Sequence, residues 1–349
     1  MLRAVMVGCG QMSNGWLSAI RATDALNANI DIVGFVDVAE GVAAARAAAH
    51  GYSGARTGTD LVPMLEELKP DVVFDLVVPS ARRGVVEAAI ASGCDVLSEK
   101  PMANTLAEAE ALLGLAHRSG RLHAVVQNRR HLTGIRRMKA LIDSGELGEI
   151  TSLHADFFLG PHFGGFRENM EHVLLLDMAI HTFDAARFLL PSDPVSVYCQ
   201  EMNPKGSWYA HGASAFALFD CADGTTFSYR GSWCAEGAPT SWESGWRVIG
   251  TRGSVLWDGN LGIEGAVRDG EEGFFRPTRE VDLPPVPDLP AEGHAGVILD
   301  FVTALEAGRD PISVNTDNIR SLAMVFSAIE SAETGRRVDF GQIREAGAT

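Results

Sequence analysis

Cysteine is scarce in this chain. Cys9, Cys94, Cys199, Cys221 and Cys234 are too few and too scattered among 349 residues for a disulfide framework. None forms a CxxC pair, which agrees with a reduced compartment and a metal-free chain. No apolar stretch approaches the ~18 residues a membrane-spanning helix needs. MLRAVMVGCG runs directly into a structural pattern, so no signal peptide and a cytoplasmic location are expected. Cations are outnumbered: 29 Lys and Arg face 45 Asp and Glu, for a formal net charge of -16. That balance makes nucleic acid and anionic membrane poor partners. Internal repeats, low-complexity tracts and long linkers are absent too. What remains is ordinary and soluble, with 46% hydrophobic and 21% charged residues. The length allows two domains or one large one.

The first third alternates between two signals. Short apolar runs appear at AVMVGCG (4–10), DIVGFVDV (31–38), DVVFDLVV (71–78), CDVLSEKP (94–101) and RLHAVVQN (121–128). Between them lie helix formers: about Asn14 to Ala25, GVAAARAAAH, RRGVVEAAIASG with Gly93 beyond its end, and LAEAEALLGLAHRSG. Short runs separated by helices predict crossover units and a doubly wound, mostly parallel sheet over 1–125.

The first turn, GCGQMSNG, sets Gly8 and Gly10 between strand and helix, with Gln11 and Met12 next. Tight curvature there lets a pyrophosphate approach backbone amides and the helix N-terminus. Ser13 takes the position usually given to a small packing residue, with Gly15 nearby to share it. Alone, such a turn is equally compatible with an ordinary glycine-rich loop. Asp37 adds weight. It closes the second run 27 residues after Gly10, where a carboxylate can accept ribose hydroxyls and repel a 2′-phosphate. Val38, Ala39 and Glu40 offer no cation to hold that phosphate. The expected cofactor is therefore NAD rather than NADP.

From about residue 150 the hydrophobic period becomes two. SAFALFDCADGTTFSYRGSW (214–233) predicts a hairpin at Asp223-Gly224, and WRVIGTRGSVLWDG (246–259) predicts another around Thr251 to Gly253. EEGFFRPTREVDLP (271–284) adds one or two strands, giving an open, predominantly antiparallel sheet of about six. LPPVPDLP (283–290) is the clearest break, and helices follow at 294–308 and 318–335, with Gly308 and Gly335 as C-caps. One further helix stands apart: EHVLLLDMAIHTFDAARFLL (171–190) is nearly all apolar, yet Asp177, His181 and Asp184 recur at i, i+4 and i+7. A polar stripe on a buried helix is either a satisfied core network or a working one. The working version is a carboxylate–imidazole pair suited to moving a proton near neutral pH. Asp184, farther along, is expected to be structural. His154, His162, His172 and His181 are spaced by 8, 10 and 9, which matches no common ligand motif, so no metal is expected.

SEKPMANT (98–105) leaves the fourth long strand with Glu99 and Lys100 ahead of a proline. Pro101 keeps Lys100 out of helical geometry and delays the next helix, at the carboxyl edge where open α/β sheets place ligands. The isomer of the Lys100–Pro101 peptide is left open. Taken with GCGQMS, DMAIHTFDAARFL, IGTRGSVLWDG and SAIESAETGRRV in this order, the chain resembles the Gfo/Idh/MocA family of nicotinamide-dependent oxidoreductases over nearly its whole length.

The resemblance implies an α/β Rossmann domain (1–125) followed by an α+β domain (126–349) with an open, mainly antiparallel sheet. That second domain would serve substrate binding and oligomerisation, its C-terminal helices free to pack back on the first. It implies an NAD-dependent dehydrogenase acting on a sugar, cyclitol or related polyol, as a homodimer or homotetramer. Lys100 corresponds to the lysine near nicotinamide and substrate hydroxyl, and Asp177 and His181 to the acidic residue and histidine of the catalytic group. Pro79 and Ser80 correspond to the nicotinamide-pocket wall. Glu99 reads mainly as support for the lysine at the cofactor edge.

Two departures affect the substrate. ENMEHVLLLD replaces a glycine-rich approach to the catalytic helix, which makes Glu171 and His172 candidate substrate contacts. VVPSARRG lacks a histidine that many members carry, with Arg82 or Arg83 in its region. In the expected mechanism His181 is the general base in oxidation, Asp177 orients it or holds a neighbouring hydroxyl, and Lys100 stabilises the developing alkoxide. Rival readings are a glycoside-cleaving enzyme using transient oxidation, a reductase of an imine or enal, and a nonenzymatic dinucleotide-binding sensor.

Overall fold

The computed structural model describes residues 1–285 and 289–341, so the centre of the proline-rich break at 283–290 lies outside the described residues. The chain divides into two compact units: Met1–His131 with Pro290–Leu322, and Leu132–Leu289 with Ala323–Gly341. Among the described residues no helix is long and apolar enough to cross a membrane.

The apolar runs of the first third become one parallel sheet. Its strands are β1 (Leu2–Val7), β2 (Ile30–Val36), β3 (Arg56–Gly58), β4 (Val72–Asp75), β5 (Asp95–Ser98) and β6 (His123–Val125), in the order β3-β2-β1-β4-β5-β6. Strand order reverses at β1, the place where such sheets open a ligand crevice. All four residues of β4 are buried, because helices cover both faces. The connecting helices are α1 (Gln11–Ala22), α2 (Asp24–Asn29), α3 (Val42–Ala49), α4 (Leu61–Leu68), α5 (Pro79–Ala91) and α6 (Leu106–Ser119). α1 starts earlier than its apolar pattern predicts, at the residue after Gly10, because the glycine turn ends there. α6 cannot start before Thr105, whose hydroxyl accepts the Glu108 N–H at 3.1 Å while Glu108 accepts the Asn104 N–H at 3.1 Å. Residues 99–104 are thus left as a loop at the sheet's carboxyl edge.

The second unit begins with α7 (Thr133–Asp143) and builds a nine-stranded sheet rather than the expected six. The strands are β7 (Ile150–Phe158), β8 (Pro194–Met202), β9 (Ser214–Cys221), β10 (Thr226–Ser232), β11 (Gly245–Gly250), β12 (Gly253–Trp257), β13 (Ile263–Arg268), β14 (Thr278–Glu280) and β15 (Val338–Asp339). Their order is β14-β13-β12-β11-β7-β10-β9-β8-β15, antiparallel except for β7 with β10. β15 has two residues and forms only because its chain returns beside β8.

One face of this sheet carries α8 (Ile180–Leu189), whose Phe183 packs edge-on against Phe219 at 4.9 Å and Tyr229 at 5.2 Å. Strand alternation sends Ser228, Arg230, His154 and Asp156 to the other face. The last helices are α9 (Gly293–Ala307) and α10 (Asn315–Thr334). Val297 and Phe301 of α9 join the buried cluster containing Trp16, Leu26 and Phe74, so this late segment completes the first unit's core.

Candidate active site

In the first unit, the β1–α1 turn has a cradle that only glycine permits. Gly8 has φ +89°, and a Cβ there would stand 2.7–2.8 Å from backbone atoms of Leu76 and Val77. Gly10 caps α1 with no side-chain hydrogen bond, which leaves the helix's first amides available, and Gln11 and Met12 are exposed beside it. Ser13 is fully buried, its hydroxyl donating to the Gly10 carbonyl at 2.6 Å, so it fills the packing position alone. Gly15 faces open space and does not share that role. The Asp37 carboxylate closes the turn from β2, accepting the N–H of Cys9 at 2.8 Å and of Ala39 at 2.9 Å. These residues fit the pyrophosphate and ribose of a dinucleotide.

Arg46 escaped the sequence reading. It reaches from α3 to donate to the carbonyls of Cys9 and Gly10, each at 3.1 Å through Nη2. A lone cation in GVAAARAAAH was its only signal. Burial and the Asp37 charge push the Cys9 thiol up to about 12, so it is a packing group.

At the end of β5, Glu99 is buried and both its oxygens are engaged. Trp16 Nε1 donates to Oε1 at 2.7 Å, His294 Nε2 lies 3.5 Å from the same oxygen, and the Lys100 N–H donates to Oε2 at 3.2 Å. Burial would raise its pKa, but His294, Trp16 and Lys100 together hold it below the usual glutamate value. Glu99 is therefore the support of the lysine turn. The Lys100–Pro101 peptide is cis, and the Lys100 side chain is half-buried.

Beneath this turn runs a second buried set. Arg82 Nε donates to Asp75 Oδ2 at 2.9 Å, Nη2 to the Val77 carbonyl at 2.7 Å, and Nη1 to the Pro101 carbonyl. Burial raises the Asp75 carboxyl even against Arg82. His123 pairs through Nε2 with Ser98 at 3.1 Å, and burial with the Arg82 charge lowers it to about 3, so the ring stays neutral. Arg82 is thus a strut rather than a substrate contact, while Arg83 pairs with Glu87 on the surface. Pro79 opens α5 after the exposed Val78, and Ser80 is exposed beside it.

In the second unit, 171–190 is not one α-helix. Turn residues lead into a π-helical stretch, Leu174–Ala179, and α8 starts at Ile180. Wider turns of this kind recur at functional sites. They also break the expected shared face: Asp177 and His181 stay partly open, whereas Asp184 is 1% exposed. Asp177 Oδ2 accepts from Arg167 Nε at 2.9 Å, a partner ten residues upstream that the spacing did not reveal. Glu171 is exposed. His172, at φ +50°, has both ring nitrogens on carboxylates, Nδ1 to Glu201 at 2.6 Å and Nε2 to Glu333 at 3.3 Å. The Glu201 hydrogen bond leads in raising its pKa above the ordinary histidine value. His172 thus anchors the turn before the Leu174–Ala179 stretch to β8 and α10. His154, on β7, hydrogen-bonds Ser228 and Ser152 on the sheet's other face. Among the described residues no group of three or more His, Cys, Asp or Glu could hold a metal ion.

Comparison with known proteins follows the same division. Residues 2–127 match an oxidoreductase-family model with an NAD-binding Rossmann fold, and 135–256 match the GFO/IDH/MocA C-terminal domain. The chain belongs to the GFO/IDH/MocA family. It is an NAD-dependent oxidoreductase of that family. A 1,5-anhydro-D-fructose reductase from Ensifer adhaerens is 25% identical, the match covering 96% of this chain and 97% of the reductase. A D-apiose dehydrogenase from Paraburkholderia graminis is 25% identical over 97% of this chain and 89% of its own. Among solved structures, an Agrobacterium radiobacter oxidoreductase in complex with NAD+, L-tartaric acid and magnesium superposes with a TM-score of 0.83. It shares 22% identity, covering 98% of this chain and 99% of that one, and this likeness speaks for the fold.

Proposed function

We propose that this enzyme oxidises a secondary alcohol of a sugar, cyclitol or related polyol, with His181 as acid/base and Asp177 and Lys100 assisting. The observation that carries the reading is the segment Leu174–Leu189, where Asp177 in the π-helical stretch and His181 at the start of α8 remain partly open among mostly buried apolar residues. Relatives named as sugar dehydrogenases and reductases support the substrate class. Gly8, Gly10, Gln11 and Met12 would hold the pyrophosphate, Asp37 the adenosine ribose, and Pro79 and Ser80 the nicotinamide side. Bound NAD supplies the acceptor for the hydride leaving the carbinol carbon. The protein must then remove the hydroxyl proton, and His181 accepts it in oxidation and returns it in reduction. Asp177, held by Arg167, orients the imidazole or a neighbouring hydroxyl. Lys100, fixed by the Glu99 support, stabilises the developing alkoxide.

The open face of the nine-stranded sheet supports self-association as a homodimer or homotetramer. Tyr198, Phe216 and Leu218 are exposed there, with Tyr198 directly across from Leu218.

The test is a panel of sugars, cyclitols and polyols with NAD and with NADP, followed at 340 nm. Stoichiometric NADH with NAD is expected. Glycoside cleavage without NADH, or no turnover, would overturn the reading. Replacing His181 by alanine should lower kcat by about 10²–10⁴-fold while NAD binding is retained. Equal loss of both would make His181 structural.

A further inference from the structure

Arg167 is bound on one edge and open on another. It lies in a 3-10 turn, Gly165–Asn169, and its guanidinium carbon sits over the rings of Phe163 and Phe166, 5.0 Å from each centroid. Nε is committed to Asp177 at 2.9 Å. Among the described residues no hydrogen bond takes the two terminal nitrogens, and 34% of the side chain is exposed. A guanidinium with its Nε occupied and its plane on aromatic rings keeps one recognition edge, the end-on fork of Nη1 and Nη2. That fork matches the two oxygens of a carboxylate.

The loop that presents it is built rather than loose. The Ala210 N–H donates to the Glu168 carbonyl at 2.7 Å, and the Gly164 N–H donates to the Glu168 carboxylate at 3.0 Å. The Tyr209 hydroxyl donates to the Pro161 carbonyl at 3.2 Å, and His162 stacks on Trp208 with centroids 3.8 Å apart. Such fixing lowers the ordering cost of binding.

We propose that Arg167 is a specificity residue that binds a substrate carboxylate, and that the substrates are sugar acids, uronates or aldonates, rather than neutral sugars. The inference rests on the sugar-oxidoreductase reading above and narrows it. An anion brought beside Asp177 alone would be repelled. With Arg167 between them, the carboxylate forms a bidentate, charge-assisted pair, and the charges of acid, Asp177 and guanidinium interleave. A neutral sugar leaves the fork to water. The carboxylate itself is unchanged in the reaction; oxidation takes place at a hydroxyl-bearing carbon elsewhere on the molecule.

The experiment is calorimetric titration of the full-length, NADH-saturated protein with two matched pairs, D-gluconate against D-glucitol and D-glucuronate against D-glucose. In each pair the acid should bind at least about tenfold tighter. Arg167→Met should weaken the acid by about 100-fold and the neutral member by clearly less. Arg167→Lys, which keeps the charge without the fork, should fall between, with NADH affinity reporting that both variants are folded. Equal affinity within the wild-type pairs overturns the inference. So does an equal loss for both members in Arg167→Met, which would make Arg167 only a positioning residue for Asp177. NAD-dependent turnover of the same compounds is measured in parallel. Absence of turnover with the acid preference intact overturns the proposed oxidation of these sugars and polyols and leaves the carboxylate site standing.

Discussion

In the first unit, Asp75, Arg82, Glu99 and His123 are buried behind the strand ends, whereas in the second Arg167, Asp177, His172 and Glu201 pair with part of each side chain still in water. Both sets flank proposed catalytic groups, but they do different work. The buried set fixes backbone: Arg82 alone ties β4, the turn after it and the Pro101 carbonyl, and Glu99 ties β5 to Trp16 and His294. Removing Arg82 or Glu99 leaves buried polar partners uncompensated, with no water to replace the lost group. The half-open set fixes side chains against each other, and a ligand group can exchange into it.

Stability measurements can break this contrast. Arg82→Met should destabilise the protein by about 3–5 kcal/mol in urea unfolding, because Asp75 is left buried and unpaired. Arg167→Met should cost under about 1 kcal/mol, as expected for a partly exposed pair. Similar costs for the two would erase the distinction.

The histidines provide the next test, with opposite signs. His123 is depressed to about 3 in the folded state, against about 6.5 unfolded, so between those values the unfolded chain binds the extra proton. Its contribution is complete above about pH 6.5 and is lost as pH falls, by about 2 kcal/mol between pH 6.5 and 5. A His123→Leu variant should show a flatter acid limb in urea unfolding; an unaltered limb would exclude this source. His172 is raised, so its contribution is present below the ordinary histidine pKa and is lost as pH climbs through its folded value. Following the His172 ring by NMR titration, Glu201→Gln should bring that value down, and an unmoved titration would show that the pair does not hold the proton.

A smaller effect than those at Arg82 and His123 is expected at Asp37. Its carboxylate already accepts two backbone N–H groups, so Asp37→Ala should loosen the turn slightly and lower the NAD-over-NADP ratio of kcat/KM by about tenfold, near 1.4 kcal/mol. An unchanged ratio would remove Asp37 from cofactor discrimination.

Most of the architecture was legible because it is written in local period. Runs of β-branched residues between helix formers announced the parallel sheet, and alternation announced the antiparallel one. β15 was not legible, since two residues carry no period and pair only through tertiary return. Gly8, Asp37 and the lysine turn could be read from residue type at a strand end. Arg82, Arg167 and Arg46 could not, because an arginine's role depends on where a long side chain lands, and sequence spacing does not encode that. His172 looked like a substrate contact by position, yet Glu201 and Glu333, 29 and 161 residues away, take both its nitrogens. The π-helical stretch was likewise hidden, since its residues have ordinary helical propensities.

The contribution of α9 bears on how the chain is made. The ribosome releases residues 1–131 first, yet their core lacks Val297 and Phe301, and Glu99 lacks His294, until the stretch Pro290–Leu322 emerges. The dinucleotide-binding half, begun first, is therefore finished only after nearly all of the other half has been synthesised. Ribosome-stalled chains ending before residue 290 should accordingly hold an open nucleotide-binding half that is protected late, on release of the full polypeptide.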